Sequence, residues 1–335
     1  MAIFDFNKVI IKPAGKSLRT ISVYNPLTIH KKGTRVKAIF CLAMVCIFWG
    51  TTWIASKEGV RYMPPLQLAG IRQFLGGLCY VLFFIYKGEK WPSRKQWQSI
   101  VILRFLNFII ANGLSTWGVK FISAGLGAII GAIFPLWLVV IGLFSSKSKI
   151  PNRAIVGLLL GFGGVCIIFY EHLHNFLIAD FRFGIFVSII ATWGWAFGTI
   201  YTKKHAAKFN PYFSIGLQML IAGTALMASS YNSGNAIPLA DMAWQSGVAI
   251  AYLVVVGSII SFIAYLYALQ NLRTEQVSLY AYINPIVAVL LGWLIFSESL
   301  TIFIAVGGLV TLAGVYVVNK AYKVPVSTTP ASEGV

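Results

Sequence analysis

Apolar and polar residues alternate along this chain in long blocks. Ten apolar runs of 17 to 22 residues occupy 38–56, 67–86, 99–117, 123–144, 154–170, 183–201, 211–230, 247–268, 276–296 and 302–319. At 1.5 Å of rise per residue each is long enough, as a helix, to cross a hydrocarbon layer about 30 Å thick. Strand-like alternation does not organise any of them, and the polar stretches between are short. The pattern predicts an all-α integral membrane fold of ten transmembrane helices.

The second half of the chain repeats the first. An offset of 150 aligns 120–168 with 270–318 without a gap, setting Pro135 against Pro285, Gly142 against Gly292, Gly157 against Gly307 and Gly164 against Gly314. Earlier in each half, Trp49-Gly50 corresponds to Trp193-Gly194, and Pro65 with Arg72 to Pro211 with Gln218. Matched prolines and glycines carry most weight, because each fixes local backbone geometry or a close helix contact. Five spans per repeat is an odd number, so the second repeat enters the bilayer from the opposite side. The expected organisation is therefore a 5+5 inverted repeat: a basic tail at 1–37, expected to be disordered, repeats at 38–170 and 183–319, and a short tail at 320–335. Solute sites in such architectures lie near the midplane, between repeats.

Charge orients the helices. Of the Lys and Arg residues in tails and connections, 21 fall on one side and 4 on the other. Positive charge concentrates on the cytoplasmic face, which places both termini in the cytoplasm of a cell (plasma or inner) membrane protein. Composition supports the same class: 58% of the residues are apolar, 11% are charged and the mean hydropathy is +0.78. The net charge of +18 is thus a matter of membrane orientation, with no basic, aromatic-interleaved patch pointing to nucleic acid.

Two ionisable residues lie within spans. Arg72 sits about 9 Å below the expected outer edge of span 2, where a guanidinium in lipid costs about 3 kcal/mol. Facing a central cavity, its planar fork of donors suits an anionic or carboxylate-bearing solute; the alternative is a structural arginine bound to helix carbonyls or reaching for headgroups. Gln218, its repeat mate, offers an uncharged hydrogen bond. Arg104, close to the cytoplasmic end of span 3, reads as a headgroup contact. Among the aromatics, Trp49 and Trp193 recur beside glycines, and Trp117 and Tyr267 align at the offset of 150, which makes these four the candidate pocket lining against the alternative of ordinary helix packing. Pro135 and Pro285 are expected to kink mid-span helices and release the carbonyls of Gly131 and Ala281. Asn284 stands beside the second of these.

Absences narrow the chemistry further. Glu58, Glu171, Asp180, Glu275 and Glu298 all fall at or near span ends, so a midplane carboxylate for proton coupling is not supported. The four histidines lie in tails or connections, the four cysteines in apolar runs, and neither a phosphate loop nor a nucleophile elbow occurs. No metal, cofactor or catalytic set is expected.

Taken in order, the FWGTTW opening at 48–53 with WGWAFGT at 193–199, the span-2 proline followed by Arg72, the proline-centred fourth spans, and FSESLT at 296–301 leading into VGGLVTLAGVYVV at 306–318 resemble two tandem EamA domains of the drug/metabolite transporter superfamily. The resemblance covers roughly residues 38–320. It implies a carrier that moves small organic solutes, often outward, by alternating access, and whose relatives handle amino acids, nucleotide-like compounds, sugars or toxic organic molecules. A secondary exporter of amino acids or related compounds is the leading reading, with lipid and a small-molecule solute as partners and a homodimer left open. A drug-efflux carrier of the same fold is the alternative within the class, and a membrane enzyme acting on lipid-linked substrates the alternative outside it. The glutamate that small multidrug exporters of the superfamily carry in their first span is absent here.

Overall fold

A computed structural model describes residues 35–145, 151–171, 174–205, 209–272, 277 and 280–321. The expected tails, apart from residues 35–37 and 320–321, and Lys147, Lys149, Lys208 and Arg273 of the charge count lie outside the described residues. Among those described there is no strand. The helices are α1 (Arg35–Tyr62), α2 (Pro65–Tyr86), α3 (Arg94–Phe121), α4 (Ala124–Ala132), α5 (Phe134–Ser145), α6 (Asn152–Glu171), α7 (Ala179–His205), α8 (Pro211–Asn232), α9 (Trp244–Asn271), α10 (Tyr280–Phe296) and α11 (Ile302–Ala321).

Seven of these, α1, α2, α3, α6, α7, α8 and α9, are long and apolar enough to cross a membrane, and three shorter apolar helices cover Ala124–Trp137, Tyr280–Phe296 and Ile302–Val318. The ends follow local chemistry. Pro65 and Pro211 each open a helix at a position where the missing amide has no partner to lose. Asn210 caps α8, its Oδ1 accepting from the amides of Tyr212 at 3.1 Å and Phe213 at 3.2 Å.

One element departs from expectation. The run 123–144 is two helices, broken at Ile133, whose amide turns back to the Ile130 carbonyl at 3.3 Å. Pro135 thus sits in the first turn of α5, where a proline costs least, whereas Pro285 lies inside a continuous α10. The two prolines therefore differ in effect although they align in sequence.

The two most extensive helix contacts are α6 with α11 and α2 with α8. Each is an antiparallel seam of glycines. Gly70 faces Gly223 and Gly77 faces Gly216; Gly157 faces Gly314 and Gly164 faces Gly307. A Cβ placed on Gly157 would stand 2.7 Å from the Gly314 carbonyl oxygen, and one on Gly314 2.6 Å from that of Gly157. The glycines are seven residues apart on all four helices, the spacing that keeps one stripe against a neighbour crossing with left-handed twist.

A further tie grips the turn between α3 and α4. The Lys57 ammonium of α1 donates to the carbonyls of Val119 at 2.8 Å and Ile122 at 2.7 Å, where α3 ends. The Glu298 carboxylate accepts from the amides of Ala124 at 2.8 Å and Gly125 at 3.2 Å, where α4 begins. A cation at a helix C-terminus and an anion at an N-terminus both match the helix dipole. Glu298 belongs to the FSESLT motif, which thereby ties the end of α10 to the start of α4.

Candidate functional site

A cavity of about 180 Å³ lies between the repeats. Along α1 it is bounded by Trp49, Thr52, Trp53 and Ser56, residues at i, i+3, i+4 and i+7 that form one helical face. Opposite these stand Asn112, Ser115 and Thr116 of α3 and Thr192 with Trp195 of α7. Gly131 of α4, Phe262 of α9, and Tyr280, Ala281, Asn284 and Pro285 of α10 add to the lining, with Arg72 entering from α2.

Aromatic rings form one end of it. Trp49 is at the centre, 5.1 Å from the Tyr280 ring and 5.3 Å from Phe262 in edge-to-face contacts, 5.1 Å from Tyr265, and 6.5 Å from Trp195. Such offset pairs each contribute about 0.5–1.5 kcal/mol beyond burial. Space for Trp53 comes from α4: a Cβ on Gly127 or Gly131 would approach its ring to 2.9 or 3.0 Å.

The polar groups divide by hydrogen-bonding capacity. Thr52, Ser115, Thr116 and Thr192 donate their hydroxyl protons to carbonyls of their own helices at 2.6, 2.6, 2.9 and 2.7 Å. Asn112 donates its amide to the Asn107 carbonyl at 2.8 Å. The four hydroxyls have only lone pairs left to offer, and Asn112 its amide oxygen and one remaining N–H. Arg72 is the converse. It is 7% exposed, its Nε donates to Ser258 Oγ at 3.2 Å, and it meets no carboxylate among the described residues. No hydrogen bond from its two Nη groups occurs among the described residues, and Arg72 lines the cavity. The cavity thus offers the guanidinium donors of Arg72 on α2 and hydroxyl acceptors on α1, α3 and α7.

Of the residues singled out from sequence, the structure brings Arg72, Trp49, Asn284 and Pro285 together around the cavity. Asn284 is largely committed to structure: in the amide orientation its surroundings satisfy, it donates to the carbonyls of Cys46 at 2.6 Å and Tyr280 at 3.1 Å. Trp193 is not brought in. It is 43% exposed and stacks edge-on against Trp137 at 5.2 Å, while Trp195, two residues on and roughly 200° round the helix, takes the cavity position. Trp117 packs on Phe183 at 5.0 Å. Gln218 is buried in α8, its amide donating to Ser214 Oγ at 2.9 Å, and neither it nor Tyr267 reaches the cavity. Pro135 lies behind the wall that Gly131 and Phe134 form. Arg104 opens a π-helical stretch of α3 and is also absent from the lining.

Sequence reasoning missed Thr52, Ser56, Asn112, Ser115, Thr116 and Thr192, and it did not single Trp195 out from the other aromatics near span centres. A usable signal was present, since Thr52 and Ser56 share the Trp49 face, and Asn112 with Thr116 repeat at a helical interval inside an apolar run.

Comparison with known proteins places the chain. The EamA-like transporter family model matches it twice, over residues 36–170 and 182–320. The uncharacterized inner membrane transporter YedA of Escherichia coli (strain K12) is 30% identical over 79% of this chain and 83% of its own length. The uncharacterized transporter YoaV of Bacillus subtilis (strain 168) is 23% identical over 84% of this chain and 96% of its own, and the chloroplastic WAT1-related protein At3g02690 of Arabidopsis thaliana 28% identical over 81% and 67%. One solved protein crystal structure superposes with a TM-score of 0.59 at 14% identity, over 85% of this chain and 98% of that one, which speaks for the fold alone.

Proposed function

We propose that this chain, which belongs to the EamA-like transporter family and is a multi-pass membrane protein, is a secondary carrier that exports small zwitterionic metabolites of the amino-acid kind by alternating access. One observation carries the reading: the cavity offers a guanidinium fork with free donors and, facing it, hydroxyl and amide oxygens with free lone pairs. A carboxylate satisfies the first and an ammonium the second. The aromatic end then receives an apolar side chain. Outward direction is carried over from the family resemblance.

Size favours metabolites over drugs. About 180 Å³ is room for roughly six water molecules and lies below the roughly 300–1,000 Å³ of pockets that hold drug-sized ligands. The enzyme alternative would draw on clustered carboxylates or histidines, and the cavity lining includes none.

In this reading the three shorter apolar helices also span the bilayer, α4 and α5 acting as one broken segment, to give ten spans in a 5+5 inverted arrangement with both termini cytoplasmic. Arg72 enters the membrane from the outer side. Topology is checked by single cysteines: a membrane-impermeant maleimide added to intact cells is expected to label Asn235→Cys and to leave Lys90→Cys unlabelled, and the reverse pattern would invert the orientation.

The function is tested in proteoliposomes loaded with radiolabelled amino acids, nucleosides, sugars or cationic drugs. Gradient-dependent efflux is expected for one or more amino acids and absent for the drugs. Flux confined to drugs, or no flux for any solute, would overturn the proposal.

A further inference from the structure

The third helix of each repeat is wound as a π-helix in its middle, over Arg104–Gly113 in α3 and Leu253–Ile260 in α9. A π-helical stretch widens the turn and leaves carbonyls short of their usual partners, and it recurs at functional positions. In α9 those carbonyls are met one after another. Ser261 Oγ donates to Val256 at 2.6 Å, Trp49 Nε1 to Gly257 at 3.4 Å, and Tyr80 Oη to Ser258 at 3.2 Å and Ile259 at 3.0 Å. Arg72 Nε completes the set on the Ser258 hydroxyl. Three side chains of the first repeat, Trp49, Arg72 and Tyr80, thus dock into one widened turn of the second.

Two of those three line the cavity, and the residues that hold them do not. Ser258 is fully buried and absent from the lining. Its neighbour Gly257 supplies clearance, since a Cβ there would stand 3.0 Å from Arg72 Nη2 and 2.9 Å from Thr52 Cγ2. A guanidinium has one plane and a limited number of useful poses. Anchoring Nε on Ser258, with Nη2 seated against Gly257, fixes the plane of the guanidinium at the cavity wall, where its remaining N–H groups can meet a carboxylate.

We propose that Ser258, with Gly257 beside it, is a positioning residue for solute selection: it fixes the Arg72 fork toward the cavity and so sets the preference for carboxylate-bearing solutes. The inference rests on the carboxylate reading of the cavity given above. Ser258 touches no solute and acts only through Arg72. The Gly257 carbonyl under Trp49 ties the aromatic end to the same turn, so polar and apolar recognition share one support.

The test uses the full chain in nanodiscs and three probes of one skeleton: L-leucine, 4-methylpentanoate, which lacks the amine, and 3-methylbutylamine, which lacks the carboxylate. Affinity is read from the shift of the melting curve with probe concentration. Ser258→Ala is expected to weaken L-leucine and 4-methylpentanoate about tenfold, the worth of a hydrogen bond to a charged group, with 3-methylbutylamine unchanged. Ser258→Cys, of nearly the same size with a weaker acceptor, serves if the alanine variant does not fold, and is expected to lose carboxylate binding in the same direction. Unchanged binding in the folded Ser258 variant, alongside loss in Arg72→Ala, would overturn the role of Ser258 and leave the carboxylate reading standing. Unchanged binding in Arg72→Ala, or a wild-type protein that binds neither carboxylate probe, would remove the reading itself and this inference with it.

Discussion

Arg72→Ala is expected to lower solute affinity by roughly 10- to 100-fold while the protein still inserts and folds. Arg72 lines the cavity and its Nη groups make no hydrogen bond to protein among the described residues, and a hydrogen bond to a charged group is worth about 1.5–3 kcal/mol, with each 1.4 kcal/mol a factor of ten. Arg72→Lys restores the charge but neither the fork nor the bond to Ser258, so it is expected to recover only part of the loss. Flux at matched expression, with a size-exclusion profile of each variant, decides. A purely structural arginine, serving to tie α2 to α9, would show the opposite division: aggregated or unstable protein, and normal affinity in whatever fraction survives.

The second large effect concerns two adjacent glycines. Gly164→Ala is expected to destabilise the protein severely, because its new Cβ would meet the Thr311 amide and the Gly307 carbonyl, backbone atoms that cannot rotate away. Overpacking generally costs about 1–3 kcal/mol, and displacing a whole helix belongs at the upper end. Gly163→Ala, one position along, meets nothing within 4 Å and is expected to be neutral or to gain up to about 1 kcal/mol from the reduced flexibility of alanine. Melting temperatures of the two variants in detergent are the measurement. Similar melting temperatures would mean that the α6–α11 seam is looser than described.

Arg72 was legible in the sequence because physics leaves a deep charge few explanations, and Trp49 because it recurs beside a glycine. The same recurrence misled at Trp193. Internal symmetry relates backbones, and Gly50 and Gly194 do both accommodate a neighbour, α10 through Val287 in one case and α3 through Ile110 in the other. Those neighbours differ, so the indoles beside the glycines are sent to different places. Gln218 illustrates the point again: it aligns with Arg72, and its helix also packs on a π-helical stretch, yet its amide bonds Ser214 on its own helix whereas Arg72 reaches across to Ser258. The break at Ile133 was not legible, since a proline reads the same in a kinked helix and at the start of a new one, and what decides is packing around it. Residues of the Ser258 kind are hardest to see, because a serine in an apolar run advertises nothing until the helix it serves is in place.

The glycine seams bear on how such a molecule changes shape. Each joins a helix of the first repeat to one of the second, with backbone against backbone, so the repeats are stitched to each other along both flanks. Rocking one whole repeat against the other would unpick two seams that have no side chains to cushion the slip. On the alternating-access reading proposed above, the covalent halves are therefore not the mechanical halves: α2 moves with α8 and α6 with α11, and the start of α4 travels with the end of α10 through Glu298.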